Sequence, residues 1–328
     1  MKQRSILSVA CVAALSSLAQ AQTFEYGDDC NNLTDQLCGS NCAKCSWSWP
    51  SGDPDTWASN DAACRCQYEN GSVPPSPSPS PSSGFPPISV QYNDAETTLY
   101  VVHPSWSDVS VTGDEMSFDF NNRMYLSNVP QADSSEYFTV NLLGGAMEFD
   151  VDLSQVGCGC VTALYTVTMP AVDNGDTFKY CDANQVGGHW CPEFDIMEAN
   201  QYAFHVTGHK CDAPDANGVF YNCDRGGQCT MDVLDDINQT DYGNGSQYTI
   251  NTNSPFTVRT DFHESGGDFT GYTSTLTQDG RSIVLTTGTC NYLNNMTEDM
   301  KRMVIVMSNW GSGSLNWLQH GVCSGSCS

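Results

Sequence analysis

Basic residues are scarce in this sequence. Twelve lysines and arginines stand against 38 aspartates and glutamates in 328 residues, a formal net charge of −26, and the pI is near 4.1. A polyanion of this kind is repelled by nucleic acid and by anionic membrane surfaces, so neither is expected as a partner, whereas a neutral polymer is acceptable. Long apolar runs are also missing. Beyond Leu18 no stretch is apolar for long enough to cross a bilayer. Nor does any segment keep the 3.6-residue period of an amphipathic helix over several turns. A zinc knuckle at Cys42-x-x-Cys45 would need a second Cys-x-x-Cys or a histidine pair at ligand spacing, and the sequence has neither.

What is present begins with a leader. Lys2 and Arg4 give a basic start, Ile6 to Leu18 is a short apolar run, and Ala19-Gln20-Ala21 has the small-residue pattern of a cleavage site. Residues 1–21 therefore read as a secretory signal, with a soluble extracellular product starting at Gln22. Of the 17 cysteines, Cys11 would leave with the leader. Six follow as Cys30, Cys38, Cys42, Cys45, Cys64 and Cys66. Ten more are Cys158, Cys160, Cys181, Cys191, Cys211, Cys223, Cys229, Cys290, Cys323 and Cys327. Even counts in an oxidising compartment imply two separately stapled units, with pairings that sequence does not fix. Between them, residues 69–87 include the run Pro74 to Ser83 (PPSPSPSPSS), an extended spacer that cannot bury a core.

The first unit, residues 22–68, is too short to rest on a hydrophobic core and depends on disulfides. Its aromatics are Trp47, Trp49 and Trp57. If Ser46 to Trp49 is extended, Trp47 and Trp49 share a face and can stack on sugar rings, which makes this a candidate carbohydrate-binding module. The plainer reading is that these indoles are the core of a tiny domain. Sequons at Asn32, Asn70, Asn238, Asn244 and Asn295 permit glycosylation.

The large unit, residues 88–328, reads as all-β. Runs such as 97–102, 117–120, 147–153, 163–169, 256–262, 282–285 and 303–307 have strand composition and end at Gly, Asn, Asp or Ser turn signals. Many short strands in one unit imply a sandwich or jelly roll. The chemistry is concentrated in Glu193-Phe194-Asp195-Ile196-Met197-Glu198-Ala199-Asn200. On a strand, Glu193, Asp195 and Met197 share one face while Phe194 and Ile196 enter the core. Glu198 then has the wrong parity, and a bulge is expected to turn it back beside the other carboxylates. Two carboxyl groups roughly 5–5.5 Å apart serve a retaining glycosidase as nucleophile and acid/base. A third can orient the nucleophile, and clustering raises the pKa that a general acid needs. A calcium site or an acidic edge strand is the bland alternative.

The octapeptide resembles the E-M-D-I-W-E-A-N signature of glycoside hydrolase family 7, the fungal-type cellobiohydrolases and endoglucanases. Other words recur in order: Asn121 to Leu126, Leu142-Leu143-Gly144, Phe149 to Ser154, Cys158-Gly159, Ala163-Leu164-Tyr165 and Tyr180-Cys181-Asp182 before it. His209-Lys210-Cys211, Gly226-Gly227-Gln228-Cys229, Met303 to Trp310 and Trp317-Leu318 come after it. The resemblance implies a concanavalin A-like β-jelly roll sandwich with a glucan cleft. It implies Glu193 as nucleophile, Glu198 as acid/base and Asp195 as the assisting carboxylate. His209 would lie beside the acid/base, Asp182 would support the nucleophile's network, and Tyr165, Trp310 and Trp317 would line sugar subsites. Read alone, His209 is an ordinary structural histidine and the tryptophans are core residues.

Departures from the family pattern shape the expected activity. The unit is short, the roofing loops of a processive tunnel are absent, Val161 replaces a sugar-contacting Asn, and Met197 replaces the signature Trp. An open cleft with internal attack on β-1,4-glucan follows. A weaker likeness to glycoside hydrolase family 16, with its E-x-D-x-x-E motif, keeps β-1,3 or mixed-linkage glucan open. A secreted glucan-binding protein without turnover and a disulfide-rich wall protein are the rivals from other classes. The chemistry requires no cofactor, the sequence offers no metal site, and the protein is expected to act as a monomer on a cell-wall polysaccharide.

Overall fold

The computed structural model describes residues 84–328 apart from 105–107, 173, 174, 239, 312–314, 326 and 328. It also describes the backbone of three strands nearer the N-terminus. Trp47, Trp49 and Trp57, the sequons at Asn32 and Asn70 and the expected cleavage site lie outside the described residues. The chain divides into Ser16–Ser83 and a larger unit of Met1–Leu15 with Gly84–Ser328. Among the described residues, no helix is long and apolar enough to cross a membrane.

The strands, numbered along the chain, are β1 (Arg4–Ala10), β2 (Lys44–Ser46), β3 (Arg65–Gln67), β4 (Pro87–Tyr92), β5 (Ala95–Val102), β6 (Val109–Thr112) and β7 (Glu115–Asp119). Next come β8 (Asn122–Ser127), β9 (Thr139–Val140), β10 (Ala146–Asp152), β11 (Cys160–Val167), β12 (Glu193–Ala199), β13 (Phe204–His209) and β14 (Gln228–Asp232). The series ends with β15 (Tyr242–Gly243), β16 (Ile250–Asn251), β17 (Phe256–Ser265), β18 (Asp268–Gln278), β19 (Arg281–Thr286) and β20 (Met303–Gly311). Seven form one sheet in the order β19-β18-β17-β10-β1-β7-β6. A nine-stranded sheet runs β14-β13-β12-β11-β20-β8-β5-β4, with β9 paired to β20. In the smaller unit β2 pairs antiparallel with β3, setting Cys45 opposite Cys66.

Period-two patterning explains both sheets. On β10, Met147, Phe149 and Val151 enter the core between the sheets, while Glu148 and Asp150 do not. Hairpins close through left-handed residues: Asn93 and Asp94 join β4 to β5, and Asp279-Gly280 joins β18 to β19. Tight two-residue turns require that conformation. The inter-sheet core includes Phe194, Ile196, Met197, Phe204, Phe262, Phe269, Tyr272, Met303, Ile305 and Met307. Fully burying each large apolar side chain contributes roughly 1.5–3 kcal/mol.

The nine-stranded sheet has a second buried face. Ala163, Tyr165 and Val167 on β11, with Val304 and Val306 on β20, pack outward against Met169, Ala171, Tyr180, Cys181 and Cys191. A separate cluster of Val161, Ala203, Leu315 and Leu318 covers another part, beneath the short helix Asn316–Gln319. This explains why β11 is buried at every position and lacks clean alternation. All ten cysteines of the large unit pair, as Cys158–Cys323, Cys160–Cys327, Cys181–Cys191, Cys211–Cys223 and Cys229–Cys290.

One strand coincides with the expected leader. Backbone pairing places β1 between β10 and β7. Cleavage after Ala21 would remove it and leave β10 and β7 as facing edges, so leader and strand are exclusive uses of Arg4–Ala10.

Candidate active site

The carboxylates are aimed by a bulge in β12. Against β11, Asp195 pairs with Tyr165 and Met197 with Leu164, so Ile196 is the extra residue. Against β13, Asp195 faces Thr207 and Glu198 faces His205, again with one residue too many on β12. Phe194, Ile196 and Met197 all enter the inter-sheet core. The expectation that Met197 shares a face with Glu193 and Asp195 is therefore corrected. The bulge consumes one step, Met197 turns inward, and Glu198 returns to the carboxylate side.

Glu193 and Asp195 are 7% and 4% exposed. Oε2 of Glu193 accepts the backbone N–H of Ala183 at 2.7 Å. That donor sits in the loop closed by Cys181–Cys191. Asp182 organises the loop by accepting the N–H groups of Asn184 and Val186, both at 2.9 Å. Burial, reinforced by the charges of Asp195 and Asp182, pushes the Glu193 carboxyl well above the usual range. Burial lifts Asp195 to about 8, although its hydrogen bond with Glu193 pulls downward. Glu198 is raised by burial and by the charge of Asp195. Burial and mutual repulsion thus disfavour simultaneous ionisation of the three carboxylates.

His209 bonds Asp195, with Nε2 2.9 Å from Oδ2. Its Nδ1 donates to the carbonyl of Asp224 at 2.9 Å, which fixes the ring. Gly227 adopts a φ of +64°, and a Cβ there would meet Cε1 of His209 at 2.8 Å and Thr207 closer still. Only glycine lets this loop close over the imidazole. The charge of His209 also pulls the Glu198 carboxyl downward, and a second imidazole, His205, faces Glu198 with Nδ1 4.0 Å from Oε2. Burial lowers His205 to about 4, leaving it neutral over most of the physiological range.

Tyr165 is buried, and its hydroxyl lies 2.7 Å from that of Tyr180. The guanidinium of Arg123 lies 3.6 Å from the centre of the Tyr180 ring, and its Nε has no hydrogen-bond partner among the described residues. Trp310 and Trp317 are 37% and 41% exposed and stack on each other at 6.4 Å and 20°. Trp317 also meets His205 edge-on at 5.7 Å. Glu193, Asp195, Asp182 and His209 thus form one connected group. Glu198, His205 and the tryptophan pair form a second. Sequence reading missed Arg123, Tyr180 and His205. The lone arginine inside strand β8 was the available signal for the first of them.

The architecture is a β-jelly roll sandwich whose nine-stranded sheet carries a buried carboxylate group on its outer face. The glycosyl hydrolase family 7 model matches residues 104–190 and 181–300, and the chain belongs to that family. Endoglucanase EG-1 of Humicola insolens is 29% identical over 287 residues, covering 66% of this chain and 65% of the relative. Endoglucanase 1 of the same organism is 30% identical over 247 residues, covering 56% and 60%. The chain thus spans less than two thirds of the length of either. The solved structure of a point mutant of the Humicola insolens endocellulase Cel7B aligns with a TM-score of 0.54 at 25% identity, over 67% of this chain and 71% of that one. A cellobiohydrolase from Melanocarpus albomyces complexed with cellotetraose aligns with a TM-score of 0.55 at 21% identity, over 75% and 90%. The latter is a likeness of fold.

Proposed function

We propose that this protein is a secreted, retaining, endo-acting β-glucan hydrolase that cleaves β-1,4-glucan. Glu193 attacks the anomeric carbon while Glu198 gives its proton to the departing glycosidic oxygen. Glu198 then takes a proton from the water that releases the glycosyl-enzyme, restoring both groups. Asp195 shares a proton with Glu193 and keeps the nucleophile aimed and ionisable. The observation that carries the reading is the bulge at Ile196, which turns Glu198 to the side of β12 that holds Glu193 and Asp195. The raised carboxyl of Glu198 suits an acid that must be protonated at working pH. Ten disulfide-bonded cysteines in the large unit suit an oxidising, extracellular setting. The naming of two relatives as endoglucanases supports internal attack.

The test is reducing-sugar release from amorphous cellulose, mixed-linkage glucan and β-1,3-glucan by the full protein and its Glu193→Gln variant. Release from cellulose that vanishes in the variant is expected. Release from β-1,3-glucan alone would replace the linkage. No release from any of them, with binding to insoluble glucan intact, would leave a non-catalytic glucan-binding protein.

A further inference from the structure

We propose that Asp232, Asp235 and His320 bind one divalent ion of the zinc or copper type, tying the end of β14 to the segment that carries Trp317. Asp232 is the last residue of β14, and its side chain is 5% exposed. Oδ1 accepts the N–H of Leu234 at 2.8 Å. Oδ2 is buried and accepts no hydrogen bond among the described residues. A buried carboxylate oxygen with no hydrogen bond is undersatisfied even beside one ionic neighbour, and a missing hydrogen bond there costs roughly 1–3 kcal/mol. Its neighbour is the imidazole of His320, with Nε2 3.1 Å away. Asp235 stands on the other nitrogen of the same ring, its Oδ1 3.4 Å from Nδ1, so sharing an ion bound at Nε2 requires its carboxylate to turn toward Asp232. One ligand atom from each of the three residues lies within 4.8 Å of the others. The Asp235 side chain is 69% exposed, so it can swing inward without disturbing packing.

The donor set selects the ion. One imidazole nitrogen and two carboxylate oxygens, at metal–ligand lengths of about 2.0–2.2 Å, suit Zn²⁺ or Cu²⁺ with a water completing the shell. Calcium and magnesium favour all-oxygen surroundings. Two carboxylates and a neutral imidazole also balance a dipositive charge. His320 directly follows the helix Asn316–Gln319, which contains Trp317. An ion held here would fix the position of Trp317 against Trp310 and His205. Asp232 pairs across the sheet with His205, which faces Glu198, so the site adjoins the Glu198 side of the carboxylate cluster, and the proposal does not depend on the hydrolase reading.

The experiment uses the full protein stripped with a chelator and titrated with Zn²⁺ by calorimetry, then with Cu²⁺ by electron paramagnetic resonance. Binding of a single equivalent, competition between the two ions and hyperfine splitting from one nitrogen are expected. His320→Gln should weaken binding by more than about 100-fold, since loss of even an outer-shell partner costs roughly 10–100-fold. Asp232→Asn should do the same, and circular dichroism with a melting curve shows whether each variant folds. His320 is a third exposed, so its variant serves if the Asp232 variant does not fold. The absence of saturable binding would overturn the proposal and leave an imidazolium held between two carboxylates. Binding that survives in folded His320→Gln would overturn it equally.

Discussion

The two ends of β12 hold the same kind of side chain in opposite ways. At the first end, Glu193 takes an amide hydrogen bond from a disulfide-closed loop, and Asp195 is clamped by an imidazole that is itself fixed on a carbonyl. At the other end, Glu198 is 15% exposed, its histidine neighbour stands at 4.0 Å, beyond hydrogen-bond length, and the half-exposed indole of Trp317 meets that histidine edge-on. The difference fits a division of labour. A nucleophile must be aimed at one carbon, and an error of an ångström is costly. An acid/base serves a departing oxygen first and a water second, so it needs solvent access and some freedom.

Substitution at the two ends should break this comparison in distinct ways. Glu193→Gln removes the proposed bond-forming group, and kcat on any active glucan should fall on the order of 10⁴-fold or more, measured by reducing-sugar release. Added azide should restore nothing, because the amide still fills the attacking position. Glu198→Ala should cost about 10²–10⁴-fold, less for an aryl glycoside whose leaving group needs no proton. In that variant azide should restore turnover and yield a β-configured glycosyl azide. An α-configured product, or rescue at Glu193 instead, would reverse the two roles.

Much of the first end was legible in the sequence, because its logic is local. Glu193, Phe194 and Asp195 obey strand alternation, and the loop from Tyr180 to Cys191 lies directly before them. The second end was read less well. A single inserted residue, Ile196, sends Met197 inward, and simple alternation cannot say where a strand bulges. His205 reaches Glu198 through cross-strand register, and Arg123 reaches Tyr180 from a distant part of the chain. Neither leaves a periodic trace. The even cysteine count implied stapling, yet the link from Cys158 to Cys323 spans 165 residues, a pairing that only the fold supplies. The strand composition was plain throughout, except on β11, where burial on both faces erases the alternating pattern.

His209 sharpens the comparison because it belongs to the first end while its influence extends to the second. It acts through Asp195, so it is a positioning residue. His209→Gln should lower kcat/KM by about 5–150-fold, the equivalent of roughly 1–3 kcal/mol for a buried hydrogen bond. The pH profile separates this role from general damage. The charge of His209 pulls the Glu193 carboxyl downward. Its loss should move the acidic limb of kcat/KM to higher pH, because Glu193, as the proposed nucleophile, must ionise to attack. An unchanged limb with a uniformly lower plateau would make His209 a structural residue only.

The smallest expected effect is on stability, and its sign runs opposite to activity. Asp195 is held at about 8, above the ordinary carboxylate value, chiefly by burial. A carboxyl raised on folding binds its proton more tightly in the native state. Its neutral form therefore fits the fold fully below about pH 4, and stability is lost as pH rises toward 8. Asn at this position cannot ionise and can still donate to Nε2 of His209. Asp195→Asn should thus raise the unfolding free energy by about 1–2 kcal/mol near pH 7, a typical gain where a functional site is relieved of strain, and by almost nothing at pH 4. Melting curves at the two pH values provide the measurement. Equal shifts at both would show that the side chain's shape matters and not its charge. A gain confined to neutral pH would mean that the tightly held end of β12 keeps an ionisable Asp195 beside the proposed nucleophile at the expense of the fold.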